Sequence, residues 1–150
     1  MAEGRWSVPG AAYSAQEWLD NHHAIKSRLR SELIAKLPIF PGDRVVDLGC
    51  ATGNWSFLLA DRVGVRGTVI GIDWNATSLA VAEQRRHAHV LGRIVEFKQA
   101  KLEDVVLADG SVDVLLLFNV LAYVREPTAV IDRLIKGLRP GGRLIHRSSG

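Results

Sequence analysis

Two aspartates each end an apolar, β-branched run, which is where a parallel sheet places ligand-binding residues. Asp47 follows Val45 and Val46 and precedes a glycine-containing turn, and Asp73 ends the next such run. A carboxylate at the position of Asp47 is unfavourable beside a pyrophosphate and favourable beside an ammonium group. A carboxylate at the position of Asp73 can accept both hydroxyls of a ribose. Together they predict a ligand with a positively charged head and a ribose.

The turn that follows Asp47 has the glycine spacing G-x-x-x-G, from Gly49 to Gly53. A glycine turn allows a ligand to approach the backbone, and the helix that follows offers free N–H groups. The Walker A motif requires Gly-Lys-Ser/Thr, whereas residues 53–55 read Gly-Asn-Trp, and the dinucleotide motif G-x-G-x-x-G is also absent. A zwitterionic head and a ribose, without a phosphate motif, predict S-adenosylmethionine as the cofactor.

The elements that must position these residues alternate between strand and helix. Short apolar runs bounded by turn residues predict strands, and longer segments with a cap or a terminal glycine predict helices. Asn75 is expected to cap one helix, and Gly64 and Gly92 are expected to end two of them. The predicted strands are 45–48, 68–72, 93–97, 112–118 and, after a turn at 140–142, 143–147; the predicted helices are 54–63, about 76–91 and one that starts at 127.

This alternation predicts right-handed crossovers, and therefore an α/β fold with a parallel sheet. Ligands of such sheets bind beyond the carboxyl ends of the strands, near the point where the strand order reverses. We therefore expect the site to be formed by the segments 49–53, 73–74 and 100–103 and by position 119.

A further helix is predicted ahead of the first strand. Residues 14–17 (Ser-Ala-Gln-Glu) form a capping box, after which apolar residues recur at helical spacing until the prolines at 38 and 41. We expect a flexible lead at 1–13, this helix at 14–37, packed on the sheet or over the site, and the ligand-binding domain at 42–150. The predicted apolar face of the helix comprises Trp18, His22, Ile25, Leu29 and Leu33.

The composition excludes several classes of protein. A hydrophobic fraction of 47% with 23% charged residues excludes a disordered chain. No apolar run approaches the ~20 residues of a membrane-spanning helix, and the first residues lack the apolar segment of a secretory signal, so we expect a cytoplasmic protein. The single cysteine, Cys50, excludes an internal disulfide and a multi-cysteine zinc site. The histidines show no metal-binding spacing.

The charge pattern does not indicate a nucleic-acid partner. The formal net charge is +3, from 19 basic and 16 acidic residues without a block of like charge. A nucleic-acid-binding protein concentrates its Lys and Arg on one stripe. The nearest approach, at residues 85–87 (Arg-Arg-His), lies on a predicted helix and is expected to be a solvated face.

Four segments resemble, in order, the motifs of the class I S-adenosylmethionine-dependent methyltransferases. Residues 45–53 are similar to their first motif, 71–75 to their ribose-binding segment, 109–116 to their fourth strand and 138–144 to their turn into the fifth. The resemblance covers roughly residues 42–147 and is closest to the small-molecule branch that includes the ubiquinone and menaquinone biosynthesis enzymes. It implies a Rossmann-like, doubly wound sheet of order 3-2-1-4-5, S-adenosylmethionine as cofactor, and methyl transfer to a small-molecule acceptor.

The resemblance implies roles for the residues around the methionine part of the cofactor. Asp47, Gly49 and Gly53 would surround this part, and Cys50 belongs to the same segment. Asn119, at the end of the fourth strand, would face the ammonium group and the transferable methyl.

A second group of residues would bind the adenosine part. The resemblance implies that Asp73 holds the ribose, that Trp74 lies against the adenine, and that Leu102 and Glu103 border the adenine edge. Lys101 departs from the family's pattern, which often has an acidic residue near the adenine amino group. A lysine cannot accept that hydrogen bond, unless Glu103 or a backbone carbonyl replaces it.

Each of these residues also has a purely structural interpretation. The glycines can simply join a strand to a helix, Asp73 and Asn119 can each cap a helix, and Trp74 can cover the core or the surface. Cys50 is expected to be a small buried residue, because no basic neighbour in the sequence would make it a thiolate. These alternatives stay open at the level of sequence.

No catalytic residue is assigned. The sulfonium of S-adenosylmethionine is already activated, so alignment of the reactants supplies most of the rate. An oxygen or carbon acceptor can still need a base. His146, at the end of the fifth strand, and Tyr13, ahead of the first helix, are candidates, with the structural interpretation favoured for both.

Two other functions remain open. Residues 53–56 also resemble the ribose-methylating rRNA enzymes, but those carry an acidic residue and a proline after strand four, where residues 118–122 read Phe-Asn-Val-Leu-Ala. The Asn-Pro-Pro-aromatic motif of amino-methylating nucleic-acid enzymes is absent there too. The third hypothesis is a non-catalytic domain that binds S-adenosylmethionine, which the departure at Lys101 favours.

The sequence ends at Gly150, whereas the family's sheet usually continues with a further helix and two more strands. We therefore expect a sheet that lacks its last two strands, as a truncated piece or as a natural short form. Its fifth strand would present an open edge around Leu144 and Ile145, partly protected by Arg143 and Arg147. This predicts a homodimer, or contact with a partner chain, through the strand-five edge.

Overall fold

A computed structural model describes residues 15–148 of the chain, and their side chains from residue 24 onward. The chain divides into two compact units, with a boundary after Leu37. The predicted lead at 1–13, with Tyr13, and Ser14 of the capping box lie outside the described residues.

The N-terminal unit contains the predicted helix, α1 (Ala15–Lys36). The helix ends just before Pro38, because a proline disfavours helical conformation in the residue that precedes it. Of its predicted apolar face, Ile25 and Leu29 are more than half exposed. The side chains of Trp18 and His22 lie outside the described part of the chain.

The second unit is built on a five-stranded parallel sheet in the order β3-β2-β1-β4-β5. The predicted Rossmann-like fold and strand order are therefore confirmed. The order reverses between β1 and β4, and a sheet of this kind opens a crevice at the carboxyl ends of those two strands. The strands are β1 (Arg44–Leu48), β2 (Thr68–Asp73), β3 (Val95–Gln99), β4 (Val112–Phe118) and β5 (Leu138–Arg147).

Three helices connect these strands, and their ends follow from local chemistry. Asn75 Oδ1 accepts a hydrogen bond from the Ser78 amide at 3.0 Å and so caps the second of them, as predicted. That helix ends at Ala88, where His89 takes an extended backbone conformation, so the prediction that Gly92 ends it is wrong. Gly92 instead begins a 3₁₀ turn, Gly92–Ile94, which moves the start of β3 from the predicted 93 to Val95. The helices are α2 (Asn54–Val63), α3 (Ala76–Ala88) and α4 (Pro127–Leu134), and the other 3₁₀ turns are Leu102–Asp104, Leu121–Tyr123 and Ile135–Gly137.

The core of the second unit lies along β1 and β4, whose side chains are covered on both faces of the sheet. Burial of one such Val or Leu side chain stabilises the fold by about 1.5–3 kcal/mol, so these two strands anchor the edge where the crevice opens. Fully buried members are Val45, Val46, Leu48, Val114, Leu115, Leu116 and Leu117.

Strand β5 begins earlier than the sequence predicts. Val112 pairs with Leu138 and Val114 pairs with Arg143, so the intervening residues bulge out of the ladder. The bulge contains Gly141, whose φ of +80° is in the left-handed region that favours glycine. The predicted turn is real, but the strand pairs with β4 on both sides of it.

None of the helices in the described part of the chain combines the length and the hydropathy that crossing a lipid bilayer requires.

Candidate functional site

A cavity of about 520 Å³ opens at the carboxyl ends of the strands. This volume is in the range of small-molecule sites. Six of the nine predicted site residues line it: Gly49, Asp73, Trp74, Leu102, Glu103 and Asn119. Ala100 and Lys101 of the predicted segment 100–103 also line it. The wall is completed by residues that the sequence did not indicate: Ile72, Val120, Tyr123 and Val124.

Two backbone amides hold the carboxylate of Asp73 at the end of β2. Its Oδ1 accepts from the Asn75 amide at 2.9 Å, and its Oδ2 accepts from the Ala51 amide at 2.8 Å. A carboxylate offers about four lone-pair sites, so these bonds leave acceptor capacity on the cavity side. Asp73 does not cap α3, because Asn75 does so. The Ala51 bond ties the glycine turn to β2.

Most backbone N–H groups of the glycine turn donate hydrogen bonds to acceptors within the protein. Free N–H groups are what a phosphate-binding loop presents, so their internal use agrees with the absence of a phosphate motif in the sequence. Gly49, with φ +74°, is also a point of close approach: a Cβ there would lie 2.2 Å from Val120 Cγ1. The donors with internal partners are the amides of Gly49, Cys50, Ala51 and Gly53.

Asp47 is buried, with 2% of its surface exposed, and does not line the cavity. Its Oδ2 accepts a hydrogen bond of 2.7 Å from Ser56 Oγ, which is fully buried. Burial raises the pKa of Asp47 from 3.8 to about 6; the Ser56 bond opposes this rise and the negative charge of Asp73 adds to it. A positive charge near this carboxylate would favour its ionised form.

The other two predicted residues that do not line the cavity pack inside the turn. Cys50 is buried, and its burial, with the charges of Asp47 and Asp73, raises the pKa of its thiol. It is therefore a small packing residue rather than a thiolate. Gly53 has φ +88° at the start of α2, and a Cβ there would lie 2.8 Å from the ring of Phe57.

Two aromatic side chains of the cavity wall are open to solvent. Trp74 is 65% exposed and Tyr123 is 87% exposed. Trp74 is therefore not a core residue, and its carbonyl accepts a hydrogen bond from Gln99 Nε2 at 3.1 Å. Tyr123, which lies in the 3₁₀ turn at Leu121–Tyr123, was not predicted from the sequence. Its position in the sequence, shortly after the end of β4 and after Asn119, is the feature that could have indicated it.

Asn119 has the left-handed φ of +59°, which is uncommon for a residue other than glycine. Its amide donates to the Arg147 carbonyl at 2.8 Å. Val120 occupies the cap position of the next turn, so Asn119 does not cap it. Within the described residues its side chain makes no hydrogen bond, and it lines the cavity.

Two arginines that were not predicted as site residues bind segments at or next to the cavity. Arg85 Nη1 donates to the Thr52 carbonyl at 2.8 Å and to Asn54 Oδ1 at 2.9 Å. Arg85 is exposed, as the predicted solvated face requires, and its guanidinium in addition holds the glycine turn. Arg133 of α4 donates to carbonyls of the segment after β3.

The two candidate bases are not placed in the cavity wall by the described structure. His146 is an exposed residue of β5 and does not line the cavity, and Tyr13 lies outside the described residues. Among the described side chains, no group of three or more His, Cys, Asp or Glu is placed to hold a metal ion.

A family model described as a methyltransferase domain matches residues 39–150. The chain is 30% identical over 115 residues to a demethylmenaquinone methyltransferase of Lactobacillus johnsonii, covering 77% of this chain and 47% of that protein. It is 35% identical over 103 residues to a 2-phytyl-1,4-naphtoquinone methyltransferase of Synechococcus elongatus, covering 69% and 44%. The predicted resemblance to the quinone-biosynthesis branch is therefore confirmed.

The chain is also similar in structure to a solved S-adenosylmethionine-dependent methyltransferase. An arsenic(III) S-adenosylmethionine methyltransferase from Chlamydomonas reinhardtii superposes with a TM-score of 0.66 at 27% identity, over 72% of this chain and 39% of that one. The present chain thus spans about half the length of the curated relatives named above.

Proposed function

The chain belongs to the methyltransferase-domain family, and on that premise we propose that it binds S-adenosylmethionine in the cavity and transfers the methyl group to a small apolar acceptor. The observation that carries the proposal is the convergence of Asp73, Trp74 and Asn119, from two different strand ends, on one cavity of about 520 Å³. Convergence at the point of strand reversal is the arrangement by which an α/β sheet binds a nucleoside.

The adenosine part of the cofactor fits one side of the cavity. The remaining lone pairs of Asp73 accept the ribose hydroxyls. The exposed ring of Trp74 offers a face on which adenine can stack, and such contacts contribute about 0.5–1.5 kcal/mol. Leu102 and Glu103 border the adenine edge, where Glu103 can accept a hydrogen bond that Lys101 cannot.

The methionine part fits the other side, next to the glycine turn. Gly49 brings the backbone to the cavity surface without a side chain in the way. Gly53 and Cys50 maintain the turn behind it. Asp47, although it is not in the wall, contributes the negative charge that an ammonium group favours. Asn119 has a side-chain carbonyl with no competing hydrogen bond among the described residues.

S-adenosylmethionine supplies a methyl group that is already activated on a sulfonium sulfur. The protein therefore needs chiefly to align the acceptor with that group, because orientation alone can lower a barrier by several kcal/mol. The left-handed backbone of Asn119, held by the Arg147 carbonyl, orients this part of the wall.

The acceptor side of the cavity is apolar. Val120, Tyr123 and Val124 come from the segment after β4 and line the wall together. An exposed tyrosine and two valines favour a flat or apolar molecule over a highly charged one. The names of the two curated relatives, which refer to menaquinone and naphthoquinone chemistry, support the same class of acceptor.

The test is formation of S-adenosylhomocysteine from S-adenosylmethionine on a panel of acceptors. The panel comprises a demethylated naphthoquinone in its reduced, quinol form, arsenite and bulk tRNA. We expect turnover with the naphthoquinone, loss of turnover in Asp73→Asn, and unchanged turnover in Asp132→Asn, which alters an exposed carboxylate of α4. Turnover only with tRNA would contradict a small-molecule acceptor and support the RNA alternative.

A non-catalytic domain that binds S-adenosylmethionine is the second candidate. Lys101 lines the cavity at the position where the family often has an acidic residue, so adenine recognition there differs. Binding of S-adenosylhomocysteine without product on any acceptor would support this candidate. Product formation would exclude it.

We propose further that the chain forms a homodimer through β5. Within the described residues this strand pairs only with β4, which leaves its other edge open. Arg143 binds the Asp43 carboxylate, which directly precedes β1, and the Pro38 carbonyl, so its charge is directed across the sheet and does not protect that edge. Light scattering at micromolar concentration should give twice the mass of 16.5 kDa; a monomer would contradict this.

A cytoplasmic location is a further proposal. It rests on the single cysteine of the chain, which is free and buried and is not used in a disulfide. Disulfides are frequent in oxidising compartments and rare in the cytosol. Fractionation of cells that carry a tagged copy tests this location, and recovery from the periplasmic or secreted fraction would contradict it.

A further inference from the structure

Arg133 lies on α4, yet its guanidinium binds the segment that follows β3. Its Nε donates to the Val105 carbonyl at 3.1 Å and its Nη2 donates to the Leu102 carbonyl at 2.9 Å. The two bonds bracket the 3₁₀ turn at Leu102–Asp104, one at each end. Among the described residues, Arg133 forms no ion pair with a carboxylate, so these carbonyls are the partners of its charge.

The turn held in this way forms part of the cavity wall. Leu102 and Glu103 line the cavity, and Lys101 precedes them. The turn itself has little internal support: the Asp104 amide donates to the Lys101 carbonyl at 2.9 Å, and the Val105 amide donates to the Leu102 carbonyl at 3.3 Å. Short 3₁₀ turns have poor hydrogen-bond geometry, so a tether from outside determines their position.

The guanidinium suits this task because it is a rigid fork. Two of its N–H groups can reach two carbonyls at once, whereas the ammonium of lysine is a point donor on a flexible stem. A hydrogen bond from a charged donor is also roughly twice as strong as a neutral one. The separation of 28 and 31 residues between Arg133 and its partners means that the bonds join two distant segments.

We propose that Arg133 is a positioning residue for cofactor recognition, which sets the place of the Leu102–Asp104 turn against the adenosine part of S-adenosylmethionine. The inference rests on the proposed function. Arg133 does not line the cavity, so it acts through the turn. The proposal predicts that the affinity for the cofactor depends on the Arg133 side chain, although this side chain need not touch the ligand.

The test compares Arg133→Met, which removes both bonds, with Arg133→Lys, which keeps the charge but loses the fork. Arg66→Met is the matched control, since Arg66 is exposed and makes no hydrogen bond or ion pair with the described residues. Amide hydrogen exchange of the ligand-free proteins reports on the turn without any cofactor. We expect faster exchange at Asp104 and Val105 in Arg133→Met, a smaller effect in Arg133→Lys and none in Arg66→Met.

Titrations with S-adenosylhomocysteine and with methylthioadenosine, which lacks the amino-acid part, complete the test. We expect Arg133→Met to raise both dissociation constants by the same factor, about tenfold, which corresponds to about 1.4 kcal/mol. An equal factor places the effect on the adenosine part, which both ligands share. A general loss of stability would also give an equal factor, but it would speed amide exchange throughout the domain and not only at the turn. If Arg133→Met does not fold, the smaller shifts of Arg133→Lys decide.

The outcomes separate the inference from the proposed function. Unchanged exchange at the turn, or faster exchange throughout the domain, would overturn the positioning role. Faster exchange at the turn with unchanged affinities would overturn its link to recognition. If the unsubstituted protein bound neither ligand, the proposed function would fail and this link with it, while exchange would still show whether Arg133 holds the turn.

Discussion

Asp47→Asn should stabilise the protein at neutral pH. Asp47 is 2% exposed, and its pKa rises from 3.8 to about 6 chiefly through burial. A raised carboxyl pKa means that the native state binds its proton more tightly than the unfolded state does. The protonated Asp47 carboxyl therefore stabilises the native state, and this stabilisation is complete below about pH 4 and is lost as the pH rises through about 6.

The size of the effect follows from the shift in pKa. A difference of one pKa unit corresponds to about 1.4 kcal/mol, so the shift from 3.8 to about 6 costs on the order of 3 kcal/mol once Asp47 is ionised. An asparagine carries no charge at any pH and can still accept from Ser56 Oγ. The quantity to compare is the difference between the free energy of unfolding of Asp47→Asn and that of the unsubstituted protein. This difference should increase by ~2–3 kcal/mol between about pH 4 and 7.5.

Urea denaturation at several pH values measures this difference, and titrating groups that do not interact with Asp47 cancel in the subtraction. The matched control is Asp132→Asn, because Asp132 is exposed and forms no hydrogen bond or ion pair with the described residues. This control shows how much the loss of an exposed carboxylate contributes by itself. A pH-dependent difference for Asp47→Asn that does not exceed that of Asp132→Asn would refute the argument that burial raises the pKa of Asp47.

Three further substitutions test individual parts of the site. Trp74→Ala should weaken binding of S-adenosylhomocysteine by ~0.5–1.5 kcal/mol in a calorimetric titration; an unchanged affinity would mean that the ring does not stack on adenine. Gly53→Ala should lower the free energy of unfolding by ~1–3 kcal/mol, since φ is +88° and the new Cβ would lie 2.8 Å from Phe57; an equal urea midpoint would contradict this. Arg85→Gln, which removes the charged hydrogen bond to the Thr52 carbonyl, should weaken binding of S-adenosylhomocysteine by ~1 kcal/mol and leave binding of methylthioadenosine unchanged. Equal losses of affinity for both ligands would show that the glycine turn does not serve the methionine part.

The regular elements of the second unit could be predicted well because their signals are local. The run at 112–118 is apolar and bounded by turn residues, and the helix at 54–63 is flanked by Gly53 and Gly64; both predictions are confirmed to the residue. β5 was predicted too short. A glycine turn in the sequence cannot reveal that Leu138, ahead of the bulge, already pairs with Val112.

The site could be predicted in outline but not in its supports. The parallel sheet brings strand ends together, so residues at the end of a strand or just after it, such as Asp73 and Asn119, could be assigned to one place. Arg85 and Arg133 could not, because each binds a segment about 30 residues away and the direction of a long side chain is set by packing. Sequence periodicity describes a helix face, and it carries no information on which distant carbonyl a guanidinium reaches.

Calorimetric titration with S-adenosylhomocysteine tests the central claim most directly. The proposed function predicts binding at one site per chain, and a loss of ~1–3 kcal/mol in Asp73→Asn through weaker hydrogen bonds to the ribose. Asp132→Asn should bind like the unsubstituted protein. Absence of binding at millimolar ligand, by a sample that unfolds cooperatively in urea, would contradict the claim that this cavity is a cofactor site.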